Sequence, residues 1–200
     1  MGIGHQNHKN KSWLKGVTLS HGGSLRQKRK GRGFRPLSPS KPVHLVLKAN
    51  RFHMRSGFRS PQAHQIVVRV IKRYAKRFFI NVEQVAICGD HCHLLVRLSR
   101  RAQGQHFFRV VAGQIAQEFG KQGLLKSVTG TPKASKKVQV SSPKLWLFRP
   151  FTRVVKGFRA YKIVRDYIQL NKKEAEGKIA YKKERLKGLT SIEYAMLWSS

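Results

Sequence analysis

The sequence predicts an α+β domain, an antiparallel sheet with helices on one face, followed by a further C-terminal helix. Three observations carry that prediction: segments that alternate apolar and polar residues, segments whose apolar residues recur at helical spacing, and their order along the chain. Residues 44–50 (HLVLKAN) alternate and read as a strand. Ser60-Pro61 opens a helix, with serine at the cap and proline at the first helical position, where its missing N–H matters least. Val67, Val70, Ile71, Tyr74 and Phe78 then recur at helical spacing to about Phe79. Residues 82–88 (VEQVAIC) and 91–98 (HCHLLVRL) read as strands joined by a tight Gly89-Asp90 turn. Phe108, Val111, Ile115 and Phe119 mark a helix over about 103–120. Residues 145–155 (LWLFRPFTRVV) read as a strand, at an edge or across a bend because Pro150 lies inside it. Gly157 precedes a last helix whose stripe is Phe158, Tyr161, Val164 and Ile168. The order β-α-β-β-α-β plus a helix is the ferredoxin-like split β-α-β order.

The charge is extreme. The 200 residues hold 42 Lys and Arg against 8 Asp and Glu, a formal +34, and no acidic residue precedes Glu83. Self-repulsion of that size is tolerated most easily opposite a polyanion, which points to nucleic acid and away from a partner-free enzyme. A hydrophobic fraction of 40% excludes a wholly disordered basic tail. Two cysteines, Cys88 and Cys92, are too few for a disulfide scaffold and fit a reduced, cytoplasmic setting. The N-terminus lacks the apolar region of a secretion signal, and no apolar run reaches membrane-spanning length, so no membrane association is expected. Residues 1–42, with ten Lys and Arg among Gly, Ser and His, read as a flexible basic arm that binds phosphates irrespective of sequence. Residues 43–177 read as the folded domain, interrupted by a loose Ser/Thr/Lys-rich insertion at about 123–143, and 178–200 as a basic tail.

Chemistry concentrates at His91-Cys92-His93. Side chains alternate along a strand, so Cys92, Leu94, Val96 and Leu98 share the face expected against the helices. His91, His93, Leu95 and Arg97 share the other, where two neutral imidazoles at i and i+2 make a divalent-metal pair that needs an oxygen ligand from elsewhere. A zinc site built from Cys88, His91, Cys92 and His93 fits less well. All four crowd one hairpin turn, and Cys92 faces away from the histidines. The two cysteines read instead as small buried apolar residues.

With DHCHLLVRL (90–98), LWLFRPFTRVV (145–155), RDYIQLN (165–171) and HLVLKANR (44–51), the chain resembles the single-tyrosine HUH transposases, of the insertion-sequence-200 type and the REP-associated branch. The resemblance covers about residues 43–175. It implies cleavage and rejoining of single-stranded, hairpin-forming DNA in bacterial cytoplasm, with Tyr167 as the nucleophile that becomes joined to the 5′-phosphate. It also implies a divalent metal, Mg²⁺ or Mn²⁺, on His91 and His93. Tyr167 and Asn171 lie one helical turn apart on one face, and by analogy with relatives the resemblance implies that the Asn171 carbonyl oxygen completes that site. Glu174, one turn further, is a substitute ligand. Relatives also form homodimers in which the tyrosine helix meets the partner's histidines, leaving action in cis or in trans open. Arg51, Arg97, Arg149 and Arg153 are the DNA-binding candidates, with Lys48 beside them. The chain departs from the family pattern in the Cys-Gly-Asp turn, in Lys172 after Asn171 and in the long insertion.

Three other readings stand beside it: a non-catalytic RNA- or DNA-binding module of the same fold order, a domesticated inactive transposase, and a replication or relaxase-type nickase. Lys156-Gly157-Phe158 begins like the stacking strand of an RNA-recognition domain, although residues 159–162 break the aromatic alternation such a strand needs.

Overall fold

A computed structural model of the chain describes residues 19–26, 34–126 and 144–180. Five strands, β1 (Ser20–His21), β2 (Val43–Lys48), β3 (Ile80–Ile87), β4 (His91–Leu98) and β5 (Phe151–Val154), form one antiparallel sheet in the order β1-β5-β2-β4-β3. Helix α1 (Pro61–Arg77) links β2 to β3, α2 (Arg101–Lys121) follows β4, and α3 (Phe158–Ala175) follows β5. Setting β1 aside, the split β-α-β order expected from the sequence is the order found, with β2 and β4 paired at the centre.

The alternation along β2 and β4 decides which face the first two helices cover. Val43, Leu45 and Leu47 stand opposite Val96, Leu94 and Cys92. All six are buried with Ile66, Val67, Val70 and Ile71 of α1 and Phe107, Val111, Ile115 and Phe119 of α2. Phe58, fully buried, stands edge-on to Phe119 and Trp146 and closes the end of this core. Pro61 occupies the first turn of α1 as expected, and the Ser60 hydroxyl meets that of Ser56 at 3.2 Å instead of capping the helix.

Helix α3 lies on the opposite face of the sheet, against β3 and β4. Its Ile168 is fully buried with Ala86, Leu95 and Val155 in a second, smaller apolar cluster, which Tyr161, Val164 and Tyr167 border. Burial of a side chain such as Ile168 contributes about 1.5–3 kcal/mol, enough to dock one helix. Gly157 precedes α3 at φ 83°, a backbone conformation that costs glycine little.

Two stretches differ from the sequence expectation. Residues 145–155 do not form one strand. Leu145, Trp146 and Leu147 meet the far end of β2, with Asn50 N–H donating to Leu145 O and Leu147 N–H donating to Lys48 O. The chain then leaves the ladder through 148–150, where Pro150 has no N–H to offer, and rejoins β2 only at Phe151. Within the stretch read as a flexible arm, Ser20–His21 pairs with Thr152 and Arg153 as an edge strand. Arg35 donates to Thr152 Oγ1 at 2.7 Å and to the Pro150 carbonyl at 3.0 Å. Residues 1–18 and 27–33 of that stretch, most of the 123–143 insertion and most of the 178–200 tail lie outside the described residues. Among the described residues no helix is long and apolar enough to cross a membrane.

Candidate active site

The hairpin that carries the histidines is held on three sides. Cys88 N–H donates to His91 O at 2.8 Å across the turn, Ala49 N–H to Asp90 O at 2.7 Å, and Phe58 N–H to Gly89 O at 2.7 Å. The Phe58 contact brings Gly57 so near that a Cβ there would stand 2.7 Å from Gly89 O. Strand register then assembles one face. Lys48 stands opposite His91, Val46 opposite His93, His44 opposite both Leu95 and Arg153, and Ala86 opposite His93. Side-chain parity therefore puts His44, His91, His93 and Arg153 on the face that α3 partly covers.

Covering by α3 changes the character of the pair. His91 remains partly exposed, whereas His93 is 5% exposed. Their rings stand edge to face, 4.9 Å between centroids. Each has its Nδ1 occupied. His91 Nδ1–H donates to Asp90 Oδ1 at 2.6 Å, and His93 Nδ1 meets His44 Nε2 at 3.1 Å. With the proton on His93 Nδ1, His44 accepts, and the His93 Nε2 lone pair is left facing the site. The opposite tautomer would bury an N–H without an acceptor, since His93 Nε2 has no hydrogen-bond partner among the described residues. Burial, then His44 and His91, holds His93 well below the usual histidine range, and burial, then Arg153, pulls His44 down to about 4. Both rings are neutral at pH 7, the state a metal ligand requires.

Tyr167, partly buried on α3, stands edge to face with His93 at 5.2 Å between centroids and with His44 at 6.4 Å. Asn171, one turn on, donates its amide N–H to the Tyr167 carbonyl at 2.7 Å, which leaves its own carbonyl oxygen as the ligand-capable atom. Cys88 joins the same cluster. The donor atoms of Cys88, His91 and His93 all lie within 4.8 Å of one another. Burial pushes the Cys88 thiol up to about 11, with Glu174 and Asp90 adding to the effect and Arg59 opposing it, so Glu174 on α3 is within electrostatic reach of this corner. Cys92 is fully buried on the other face, as its parity required. A buried, neutral, unpartnered imidazole nitrogen beside a second imidazole and a thiol is a donor set that fits a divalent cation.

The four candidate arginines separate. Arg51 lines a cleft of about 770 Å³ that reaches His91 and Asp90 and also takes in Lys48, Arg55 and Lys126. Phe52, in the same cleft, is 86% exposed. Arg153 is exposed on β5 on the side of His44. Arg149 is exposed in the bend before β5, where its carbonyl accepts from Gly23 N–H at 3.0 Å. Arg97 sits at the far end of β4 from the histidines and is paired with Glu83. His44, Arg55 and Phe52 were not singled out from the sequence as site residues, and Cys88, weighed there in a zinc set and read instead as a buried apolar residue, lies half-buried among the donors. Cross-strand register places His44, and a local pattern does not contain that register. Phe158 opens α3, so the Lys156-Gly157-Phe158 run forms no stacking strand.

No protein-family model matches the chain. No curated protein matches it either. Solved structures do. A REP-associated tyrosine transposase, solved bound to a REP hairpin, superposes with a TM-score of 0.53 at 15% identity, covering 74% of this chain and 75% of that one. A candidate transposase from Deinococcus radiodurans gives a TM-score of 0.41 at 15% identity over 71% of this chain and 96% of that one. A tRNA(His) guanylyltransferase from Saccharomyces cerevisiae gives 0.40 at 11% identity over 88% and 82%. The fold the sequence predicted is therefore the fold observed, and it is similar to that of a REP-associated tyrosine transposase.

Proposed function

We propose that the chain is a single-tyrosine HUH endonuclease and strand transferase that cleaves and rejoins single-stranded DNA. The observation that carries this reading is the approach of Tyr167 to His93, edge to face at 5.2 Å between ring centroids within one chain. Residues 74 positions apart in sequence meet there, and a purely structural tyrosine on α3 has no need of two imidazoles beside it. His91 and His93 hold a divalent cation, with the Asn171 carbonyl as an oxygen donor on the neighbouring helix. The family resemblance implies Mg²⁺ or Mn²⁺. When bound, the cation polarises the scissile phosphate and stabilises the charge that develops on it.

The chain's own residues do the rest. The Tyr167 phenol gives up its proton as its oxygen forms a bond to phosphorus, the bond from phosphorus to the 3′-oxygen breaks, and that oxygen takes up a proton and leaves as a 3′-OH. The phosphotyrosine diester keeps a bond of similar energy, so a new 3′-OH can reverse the step without ATP. Asp90 orients His91, and His44 orients His93. Because Tyr167 already lies beside the histidines of its own chain, the reading is of action in cis. Lys48, Arg51, Arg55 and Lys126 draw the strand along the cleft to His91, and exposed Phe52 offers a ring on which an unpaired base stacks. Arg149 and Arg153 extend the positive surface, and Arg97, held by Glu83, contributes least. A hairpin substrate is supported by the REP hairpin bound to the transposase of similar fold.

The test is incubation of the chain with Mg²⁺ or Mn²⁺ and single-stranded DNA hairpins, read on a denaturing gel. A covalent protein–DNA adduct forms with the wild-type chain and is absent with Tyr167→Phe. His91→Ala and His93→Ala lose cleavage yet bind DNA at low salt. Tight binding with no adduct under any metal would leave a basic nucleic-acid-binding protein.

A further inference from the structure

We infer that Cys88 is a third protein ligand of this metal centre, and that its thiolate makes the site favour a thiophilic cation of the zinc or cobalt class over magnesium. The inference rests on the His91–His93 site proposed above and goes beyond it in naming a ligand and an ion class. Cys88 directly follows β3, across the turn from His91, its N–H bonded to His91 O at 2.8 Å. From there its sulfur lies within 4.8 Å of a ring nitrogen of both histidines. Each imidazole has Nδ1 engaged, by Asp90 or by His44, so the Nε2 atoms are the ones left for a cation. His93 Nε2 is buried and has no partner among the described residues, a state that costs free energy unless something binds there.

Donor chemistry chooses the ion. Magnesium and manganese prefer carboxylate, carbonyl and water oxygens, whereas a thiolate with two imidazoles suits zinc and its congeners. With Cys88 in the place given above to the Asn171 carbonyl, three protein ligands leave a fourth tetrahedral position for water or a substrate oxygen, the arrangement of catalytic rather than structural zinc. Cys92, fully buried on the opposite face, is the internal control.

The test uses the metal-free full-length chain and Co²⁺ or Zn²⁺ alone as probe. Co²⁺ should produce a thiolate-to-cobalt charge-transfer band in the near ultraviolet, retained in Cys92→Ala and lost in Cys88→Ser. Zn²⁺ affinity should fall in Cys88→Ser by at least the roughly 10–100-fold typical of losing an outer-shell partner. Alkylation of Cys88 in the wild-type chain, mapped by mass spectrometry, should be suppressed by Zn²⁺ and not by Mg²⁺, a readout that needs no variant to fold. Cobalt bound through imidazoles without a charge-transfer band, or Cys88 alkylated equally with and without Zn²⁺, overturns the ligand assignment and leaves the two-histidine site standing. Failure of either ion to bind, with His91→Ala indistinguishable from wild type, overturns both.

Discussion

The edges of His93 and His44 meet at 3.1 Å, and with His93 Nδ1 taken up by that contact, Nε2 is its ring nitrogen without a partner among the described residues. Burial of His44, with Arg153 beside it, also makes folding sensitive to acid. In the unfolded chain His44 titrates near 6.5 and in the folded chain at about 4, so between those values only the unfolded chain takes up the proton. Stability is therefore complete above about pH 6.5 and is lost as the pH falls toward 4, by on the order of 3 kcal/mol from this group. Urea unfolding at a series of pH values, with chelator present, should show that loss. His44→Gln, which keeps an amide at the contact and does not titrate, should flatten it. An acid dependence unchanged in His44→Gln would remove His44 from this role. At this scale the paired imidazoles were readable, because strand parity alone puts His91 and His93 on one face. Their neighbour His44 was not, because it arrives through pairing between strands that a local pattern does not specify. Cys88 was in view across the hairpin turn, and its reading as a buried apolar residue is what the donor cluster corrects.

Helix α3 holds Tyr167 against the sheet through a small apolar cluster, and Ile168 is its fully buried member on that helix. Ile168→Ala should cost about 2–5 kcal/mol by chemical denaturation. Because the main core on the other face is untouched, this variant should retain DNA binding while adduct formation falls well below wild type. Equal loss of both would mean that α3 supports the whole fold rather than the tyrosine. The turn before the histidines is constrained in a different way, since a Cβ on Gly57 would stand 2.7 Å from the Gly89 carbonyl. Gly57→Ala should destabilise by about 1–3 kcal/mol, measured by thermal melting, with a lowered metal affinity as the turn shifts. Among the elements, α1, α2 and the β3–β4 hairpin were legible because each has a clear period and a boundary signal in Pro61 or Gly89-Asp90. The run 145–155 misled because one apolar stretch serves two separate contacts with β2, parted at Pro150. Strand β1 is two residues long and is recruited only by the open edge of β5, so nothing in its own sequence announces it.

Over the whole molecule, the formal charge of +34 and the basic cleft beside His91 make one statement about binding. The four cleft cations Lys48, Arg51, Arg55 and Lys126 alone imply a log–log salt slope of about −3 for single-stranded DNA, taking roughly −0.7 per neutralised phosphate. Cations elsewhere should steepen it. Fluorescence anisotropy across a salt series should give that slope, and a double substitution Arg51→Ala and Arg55→Ala should reduce its size by about 1.4. A slope unaffected by the double substitution would move the DNA path away from this cleft. Net charge points to a polyanion from composition alone, whereas the cleft depends on β2, its following turn and residues near 126 meeting in space. The central proposal is that the phenolic oxygen of Tyr167, which the docking of α3 brings beside His93 and His44, is the atom that becomes joined to DNA. The direct measurement is protease digestion of the covalent protein–DNA complex followed by mass spectrometry of the nucleotide-bearing peptide. The account predicts a 5′-phosphoryl nucleotide on Tyr167. A nucleotide on any other residue, or an adduct formed undiminished by Tyr167→Phe, would contradict it.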